Sequence, residues 1–218
     1  VFSISNVLIQ SSVNSFGQTT VAAKTAASSL TDYIYIAQNS LYHAALTFVG
    51  QNAGARDYRR VRHSIFCCMG TVTVLGLVLG GLVILFGEPL LSIYAPGNES
   101  VVHIGMIPVR ILSSTYFLCG LMDVGSGVLR GLGKSVRAMI ISLVGSCVTR
   151  IIWIYTVFAA DHTLEVLYAC YPLSWALTAT TYFTMAFIFL HRLEVQRKSS
   201  DLTVDVNINL TVSQEVTE

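Results

Sequence analysis

The sequence predicts an all-α fold that crosses a membrane several times, and three observations predict it. Charged residues make up 11% of the 218, against roughly 25% in soluble domains, and mean hydropathy is +0.64. Apolar runs long enough to cross a ~30 Å hydrocarbon layer recur along the chain. Basic residues fall almost entirely in alternate gaps between those runs. One gap holds Arg56, Arg59, Arg60 and Arg62, a later one Arg130, Lys134 and Arg137, and the exit Arg192, Arg197 and Lys198, while the stretches Glu88 to Glu99 and Asp161 to Glu165 hold none. Short loops rich in Lys and Arg stay cytoplasmic. The pattern therefore orients the chain, with its C-terminus expected in the cytoplasm; the membrane expected is a plasma membrane, the inner membrane of a bacterium.

The elements follow in order. Val1 to Phe16 reads as the tail of a truncated span ending at Gly17, and a polar-to-small connector, Gln18 to Ser29, leads into a second apolar run, Leu30 to Val49. Ile65 to Gly87 is uncharged, and Pro89 with Ala95-Pro96-Gly97-Asn98 breaks the helix after it. Val101 to Leu129 is a long span containing Pro108, Arg110 and Asp123, Ala138 to Ala160 is charged only at Arg150, and Leu167 to Leu190 carries Pro172 near its start, where a kink is expected. Helices are the only reading of these runs. An open sheet leaves unsatisfied backbone groups in lipid, and the runs are too long for ~10-residue barrel strands. Two regions result: 1–193 as a transmembrane lobe whose first helix is truncated, and 194–218 as a polar cytoplasmic tail without fixed structure. Because the chain opens inside an apolar stretch with no basic leader, we expect an N-terminal portion of the protein to be missing and no signal peptide.

Composition excludes several classes. Cys67, Cys68, Cys119, Cys147 and Cys170 all lie inside apolar runs without CxxC spacing, and no histidine pair shares a helix at ligand spacing, so no metal site is expected. Basic residues spread over separate loops give no nucleic-acid surface. No Gly-x-Ser-x-Gly or His-Glu-x-x-His motif is present, and no enzyme activity is expected.

Three segments carry more than composition. They are Val13-Asn14-Ser15-Phe16-Gly17 followed by Val21-Ala22-Ala23, then Thr47-Phe48-Val49-Gly50-Gln51-Asn52-Ala53-Gly54-Ala55 with a basic stretch, then Ser126-Gly127-Val128-Leu129-Arg130-Gly131-Leu132-Gly133-Lys134-Ser135. Their order and spacing resemble the second half of the multidrug and toxic compound extrusion (MATE) family, over Val1 to Leu193. On their own chemistry, Gly50 and Gly54 bracket a helix end, Gln51 and Asn52 are placed to satisfy its last carbonyls, and Gly131 and Gly133 end another helix beside Arg130 and Lys134. These motif residues are expected to shape cytoplasmic turns rather than touch substrate. The resemblance implies twelve helices in two six-helix lobes with alternating access around a central cavity. This chain is then the C-terminal lobe, helices seven to twelve, and its partners are the lipid bilayer and the missing N-terminal lobe.

Functional weight falls on charges inside the membrane: Asp32, Arg110, Asp123 and Arg150, because such residues by default mark substrate or ion pathways. Helix rise places Asp123 ~10 Å and Arg150 ~18 Å from the cytoplasmic ends of their spans, with Asp32 and Arg110 nearer the outer side at ~25 and ~30 Å. Those depths permit Asp32 to pair with Arg110 and Asp123 to meet Arg150. Asp123 shares a helical face with Tyr116, Cys119, Gly120, Ser126 and Gly127, small and polar neighbours that suit a cavity wall. A carboxylate there can attract a cationic substrate or exchange a proton. Tyr33, Tyr35, Tyr116, Trp153 and Tyr155 are candidate aromatic walls of that cavity. Two departures from the family pattern leave the coupling ion, H⁺ or Na⁺, open: Asp123 stands about one turn nearer Arg130, and the first helix carries only Asn6, Gln10 and Asn14 as polar amides, with no acid.

The resemblance implies an antiporter exporting amphipathic, often cationic, small organic molecules, with no cofactor besides the coupling ion. A lipid-linked oligosaccharide flippase of the same superfamily is the alternative within transport. A non-transporting scaffold or sensor, with the tail as its output element, is the alternative outside it.

Overall fold

The computed structural model describes residues 2–215, with side chains described from Ser5 to Gln196. The chain forms α1 (Phe2–Asn14), α2 (Gln18–Gly54), α3 (Tyr58–Leu85), a short α4 (Gly87–Tyr94), α5 (Glu99–Gly131), α6 (Ser135–Phe158) and α7 (Leu164–Glu215). No strand occurs among the described residues. The stretches Tyr58–Leu85, Glu99–Gly131, Ser135–Phe158 and Leu164–Gln196 are long and apolar enough to cross a membrane. At 37 residues α2 is long enough, but its Thr, Ser, Asn and Gln side chains make it less apolar.

The expected connector Gln18 to Ser29 is instead the first part of α2. Its Thr and Ser hydroxyls turn inward on the helix: Thr20 donates to the Phe16 carbonyl, Thr25 to Val21 and Ser29 to Thr25. Small residues that read as a loop thus become a closely packed helix surface, with Ala23, Ala26 and Ala27 buried. The only break before it is a turn at Gly17, whose φ of 94° favours glycine. The backbone of α7 continues as helix through the segment expected as a tail, as far as Glu215. Side chains from 197 onward lie outside the described residues, and residues 216–218 lie outside them altogether.

Helix α5 is the axis of the bundle, packed against α2, α3, α4, α6 and α7. Lipid supplies no hydrophobic drive between apolar helices, so their association depends on close approach at small residues. Gly127 faces the Tyr42 carbonyl of α2, and Gly131 faces Leu46, Val49 and Gly50 of the same helix. On the other side of α5, Gly76 and Gly80 of α3 lie against Phe117 and Ser113. Gly125 admits Tyr182 of α7, whose hydroxyl donates to the Ala138 carbonyl of α6 at 2.8 Å.

Two ends can be told apart by charge. At the basic end Arg62 of α3 pairs with Glu194 of α7 at 2.7 Å, which fixes that end of α7 beside the α2–α3 turn. Asp57 caps α3 by accepting from the Arg60 amide at 3.1 Å. The last carbonyls of α2 are satisfied by the turn's own backbone, Ala55 to Gln51 at 3.0 Å, Arg56 to Ala53 at 3.1 Å and Asp57 to Asn52 at 3.0 Å. They are not satisfied by the expected amide side chains, since Asn52 donates back to Phe48 at 2.7 Å. The left-handed residue of this turn is Arg56, φ 57°, and not Gly54. After α5 the left-handed position is Gly133, φ 74°, as expected, whereas Gly131 is a packing glycine. At the acidic end, Asn98 caps α5 through the Val101 amide at 3.2 Å. A cavity of about 720 Å³ opens there, lined by Glu88, Asn98, Glu99, His103, Arg110 and Glu165 among others.

Candidate functional site

A second cavity, about 400 Å³, lies between α2, α5, α6 and α7 on the basic side of the bundle. The 3.6-residue period of α5 sends Cys119, Met122, Asp123, Ser126 and Arg130 to one wall. Spacings of four and three on α2 bring Tyr35, Asn39 and Tyr42 to the facing wall, and Ser142 of α6 and Tyr182 of α7 close it. Nine residues from four helices therefore surround one carboxylate.

Asp123 is half-buried. Its Oδ2 is sequestered from solvent and has no hydrogen-bond partner among the described residues. The ion pairs within 4.0 Å among those residues are Arg60–Asp57, Arg62–Glu194 and Arg110–Glu88, and Asp123 is in none of them. The nearest cation along its own helix face, Arg130, is committed elsewhere: it donates to the Tyr42 hydroxyl at 3.1 Å and sits 5.8 Å from that ring's centroid. Tyr42 so holds the cation at the mouth of the cavity while the carboxylate stands inside. A buried acceptor left open in this way is a costly group, and here it faces a space with room for a guest.

The expected pairings do not form. Arg150 turns away from Asp123 toward α7, where its Nε donates to the Ser174 hydroxyl at 3.1 Å and its guanidinium lies 4.3 Å from the Tyr171 ring centroid. Asp32 is exposed on α2 and does not meet Arg110. Arg110 pairs instead with Glu88 of α4 at 3.7 Å. Glu88 is supplied by a short helix that folds back over α5, a partner that a reading confined to the spans omits. Tyr116 faces Trp175 at 5.4 Å between centroids and lines neither cavity.

Of the candidate aromatics, Tyr35 lines the cavity, while Tyr33 and Tyr155 are exposed and Trp153 donates to the Val166 carbonyl at 2.9 Å. Cys119 and Ser126 line it as the face of Asp123 predicts, but Gly120 and Gly127 serve helix packing instead. Asn39, Tyr42, Ser142 and Tyr182 are site residues that the sequence reading does not pick out. The polar stripe Tyr35, Asn39, Tyr42 along an otherwise apolar run was the available signal for two of them.

A family model described as MatE matches residues 1–156. The chain belongs to the MatE family. Solved MATE structures share its fold. One, a MATE in complex with MaL6, superposes with a TM-score of 0.79 at 16% identity, covering 88% of this chain and 44% of that one. The Vibrio cholerae MATE transporter VcmN in its bent form gives a TM-score of 0.79 at 18% identity with the same coverage. The outward-facing conformation of a multidrug resistance MATE family transporter of the MOP superfamily gives 0.77 at 16%, covering 88% of this chain and 43% of that one. The chain thus spans less than half the length of the MATE structures it matches. Among curated proteins no match is found. Membership agrees with the all-helical architecture and with the four helices long and apolar enough to cross a membrane.

Proposed function

We propose that this chain is the C-terminal lobe of a secondary antiporter that exports amphipathic, often cationic, small organic molecules in exchange for H⁺ or Na⁺. The observation that carries the reading is Asp123, a carboxylate with an unpartnered buried oxygen facing a cavity walled by Tyr35, Tyr42 and Tyr182. A cation entering that space meets a buried carboxylate oxygen that lacks a hydrogen-bond partner, with aromatic faces beside it. In the transport cycle the carboxylate holds either the substrate's positive charge or the coupling ion, and releasing one to accept the other exchanges the two. Cationic Arg130, tied to Tyr42 at the mouth, repels a second cation and keeps occupancy single. Asp32, Arg110 and Tyr116 have no part in this cavity, and the Gly50 to Gly54 and Gly131 to Gly133 segments act as packing and turn elements, while Arg130 stands at the cavity itself. By the alternation of basic gaps, the basic end faces the cytoplasm, and the membrane we assign to the protein is the bacterial inner membrane.

The test is ethidium extrusion by the full-length transporter in an efflux-deficient bacterial host. An H⁺ or a Na⁺ gradient is imposed in turn, with wild type and Asp123→Asn at matched expression. Gradient-driven export that Asp123→Asn reduces at least about tenfold, equivalent to ~1.4 kcal/mol, is the expected result. Export undiminished by the substitution would remove Asp123 from the pathway. No export of any cation tested would turn attention to lipid-linked oligosaccharide.

A further inference from the structure

Lys134 and Arg137 converge on one aromatic ring and meet no anion. The Lys134 ammonium lies 5.3 Å and the Arg137 guanidinium 4.5 Å from the Phe189 ring centroid, so two like charges share a single platform. Neither takes part in an ion pair among the described residues. The acids described at this basic end are committed elsewhere, Asp57 to Arg60 at 3.1 Å and Glu194 to Arg62 at 2.7 Å. Like charges held side by side repel each other, and an anion shared by both removes that cost. A phosphate suits the pair, since a guanidinium offers it a fork of N–H donors and an ammonium a point charge.

The chain builds this seat at the turn after α5. Gly133, φ 74°, turns it into α6, and a spacing of three then puts Lys134 and Arg137 on one side of the first turn. One residue on, the Tyr182 hydroxyl donates to the Ala138 carbonyl at 2.8 Å and fastens α7 beside that turn. Phe189 follows two turns further along α7, only 8% exposed and in the same buried cluster as Ala138 and Tyr182. The ring under the cations is therefore fixed by packing. Beyond the cations α6 turns apolar side chains outward: Val136, Met139, Ile140, Val144 and Val148 are between 41% and 67% exposed. Ile140 and Val144 stand three and seven residues from Arg137, on its face of the helix. Charge at the membrane surface followed by a bare apolar stripe is the profile of a phospholipid, headgroup first and chains after, rather than of a free ion.

We propose that Lys134 and Arg137, held over Phe189, form a headgroup site for an anionic phospholipid whose acyl chains run along the exposed face of α6. Clusters of Lys and Arg beside a membrane helix attract anionic lipids electrostatically, and here the ring and the stripe give that attraction a fixed place. None of the three residues lines the Asp123 cavity, so the inference holds whatever the transporter carries. A lipid bound here braces the start of α6 against α7.

The test uses the full-length transporter purified in detergent, with phosphatidylglycerol as the probe and zwitterionic phosphatidylcholine, at the same mole ratio, as the reference. Phosphatidylglycerol raises the melting midpoint of wild type by at least about 3 °C over phosphatidylcholine. The double substitution Lys134→Gln, Arg137→Gln removes most of that difference, and either single substitution removes part of it if the double variant does not fold. Arg59, exposed at the same end, supplies a charge-matched control: Arg137→Gln reduces the difference more than Arg59→Gln does. Glycerol 3-phosphate, the headgroup chemistry without acyl chains, leaves the wild-type midpoint unchanged at matched ionic strength. No lipid difference in wild type overturns the proposal. So does an equal loss in Arg59→Gln and Arg137→Gln, which would make the effect one of charge alone. A rise with glycerol 3-phosphate as large as that with phosphatidylglycerol overturns it in favour of a free-phosphate site. A midpoint that the double substitution lowers equally in both lipids also overturns it, assigning the two cations to a carboxylate elsewhere in the full-length chain.

Discussion

Gly50 and Gly131, each in a different sequence motif, meet where α2 crosses α5. A Cβ added at Gly131 would stand 3.1 Å from the Gly50 nitrogen and 2.9 Å from the Leu46 carbonyl oxygen, whereas one added at Gly50 would reach nothing nearer than the Gly131 oxygen at 3.6 Å. The contact is asymmetric, because backbone confronts Gly131 while ordinary van der Waals space confronts Gly50. Gly131→Ala is expected to destabilise the full-length protein by about 1–3 kcal/mol, the usual cost of overpacking, and Gly50→Ala by less than about 0.5 kcal/mol. Thermal unfolding in detergent checks both, and equal effects would refute the asymmetry.

Gln38 is fully buried between Gly76 and Gly120, with neither its Nε2 nor its Oε1 hydrogen-bonded among the described residues. An unsatisfied buried amide costs about 1–3 kcal/mol. Gln38→Met, nearly the same length without the polar atoms, is therefore expected to leave stability unchanged or raise it by up to ~2 kcal/mol. A clear loss of stability would show that the amide has a partner in the complete transporter.

Tyr182 joins α7 to α6 through its hydroxyl and fills the space above Gly125 with its ring. Tyr182→Phe keeps the ring and removes a buried hydrogen bond, at an expected cost of about 0.5–1.5 kcal/mol plus some penalty for the Ala138 carbonyl. Since the same side chain lines the Asp123 cavity, ethidium export by this variant measures how far the hydroxyl also serves the guest.

The Arg110–Glu88 pair is exposed, with about two-thirds of each side chain open at 65% and 67%, and the Arg62–Glu194 pair is partly exposed, at 45% and 28%. Exposed pairs are worth little and are screened by salt. Glu194→Gln is expected to lower stability by less than about 1 kcal/mol, an effect that disappears in high salt. A salt-independent loss would mean that this contact is shielded.

Class, helix order and the division into basic and acidic ends were legible in the sequence, because lipid permits so few ways to satisfy a backbone and because loop charge is local information. The face of Asp123 was legible in part: Cys119 and Ser126 follow from helical period alone. The ion pairs were not. Depth along a helix says how high a charge sits but not which way it turns, and Arg150 turns to Ser174 while Arg110 finds Glu88 on α4. Nor was the role of Gly131 legible, because a glycine needed for close approach and one needed for a left-handed turn look alike until the neighbouring helix is in place. The connector before Leu30 misled for a related reason, since short hydroxyl side chains that bond back to their own helix read as loop composition.

The central position of α5 sets how change spreads through this lobe. One wall of the Asp123 cavity belongs to the helix that borders α2, α3, α4, α6 and α7 at once. A substitution at a remote seam, such as Gly80 beneath Ser113, tilts or lifts the same rod that carries the carboxylate. Variants that alter selectivity should therefore arise along the whole length of α5 and its seams, far from any guest, as they do when a single axle carries every gear.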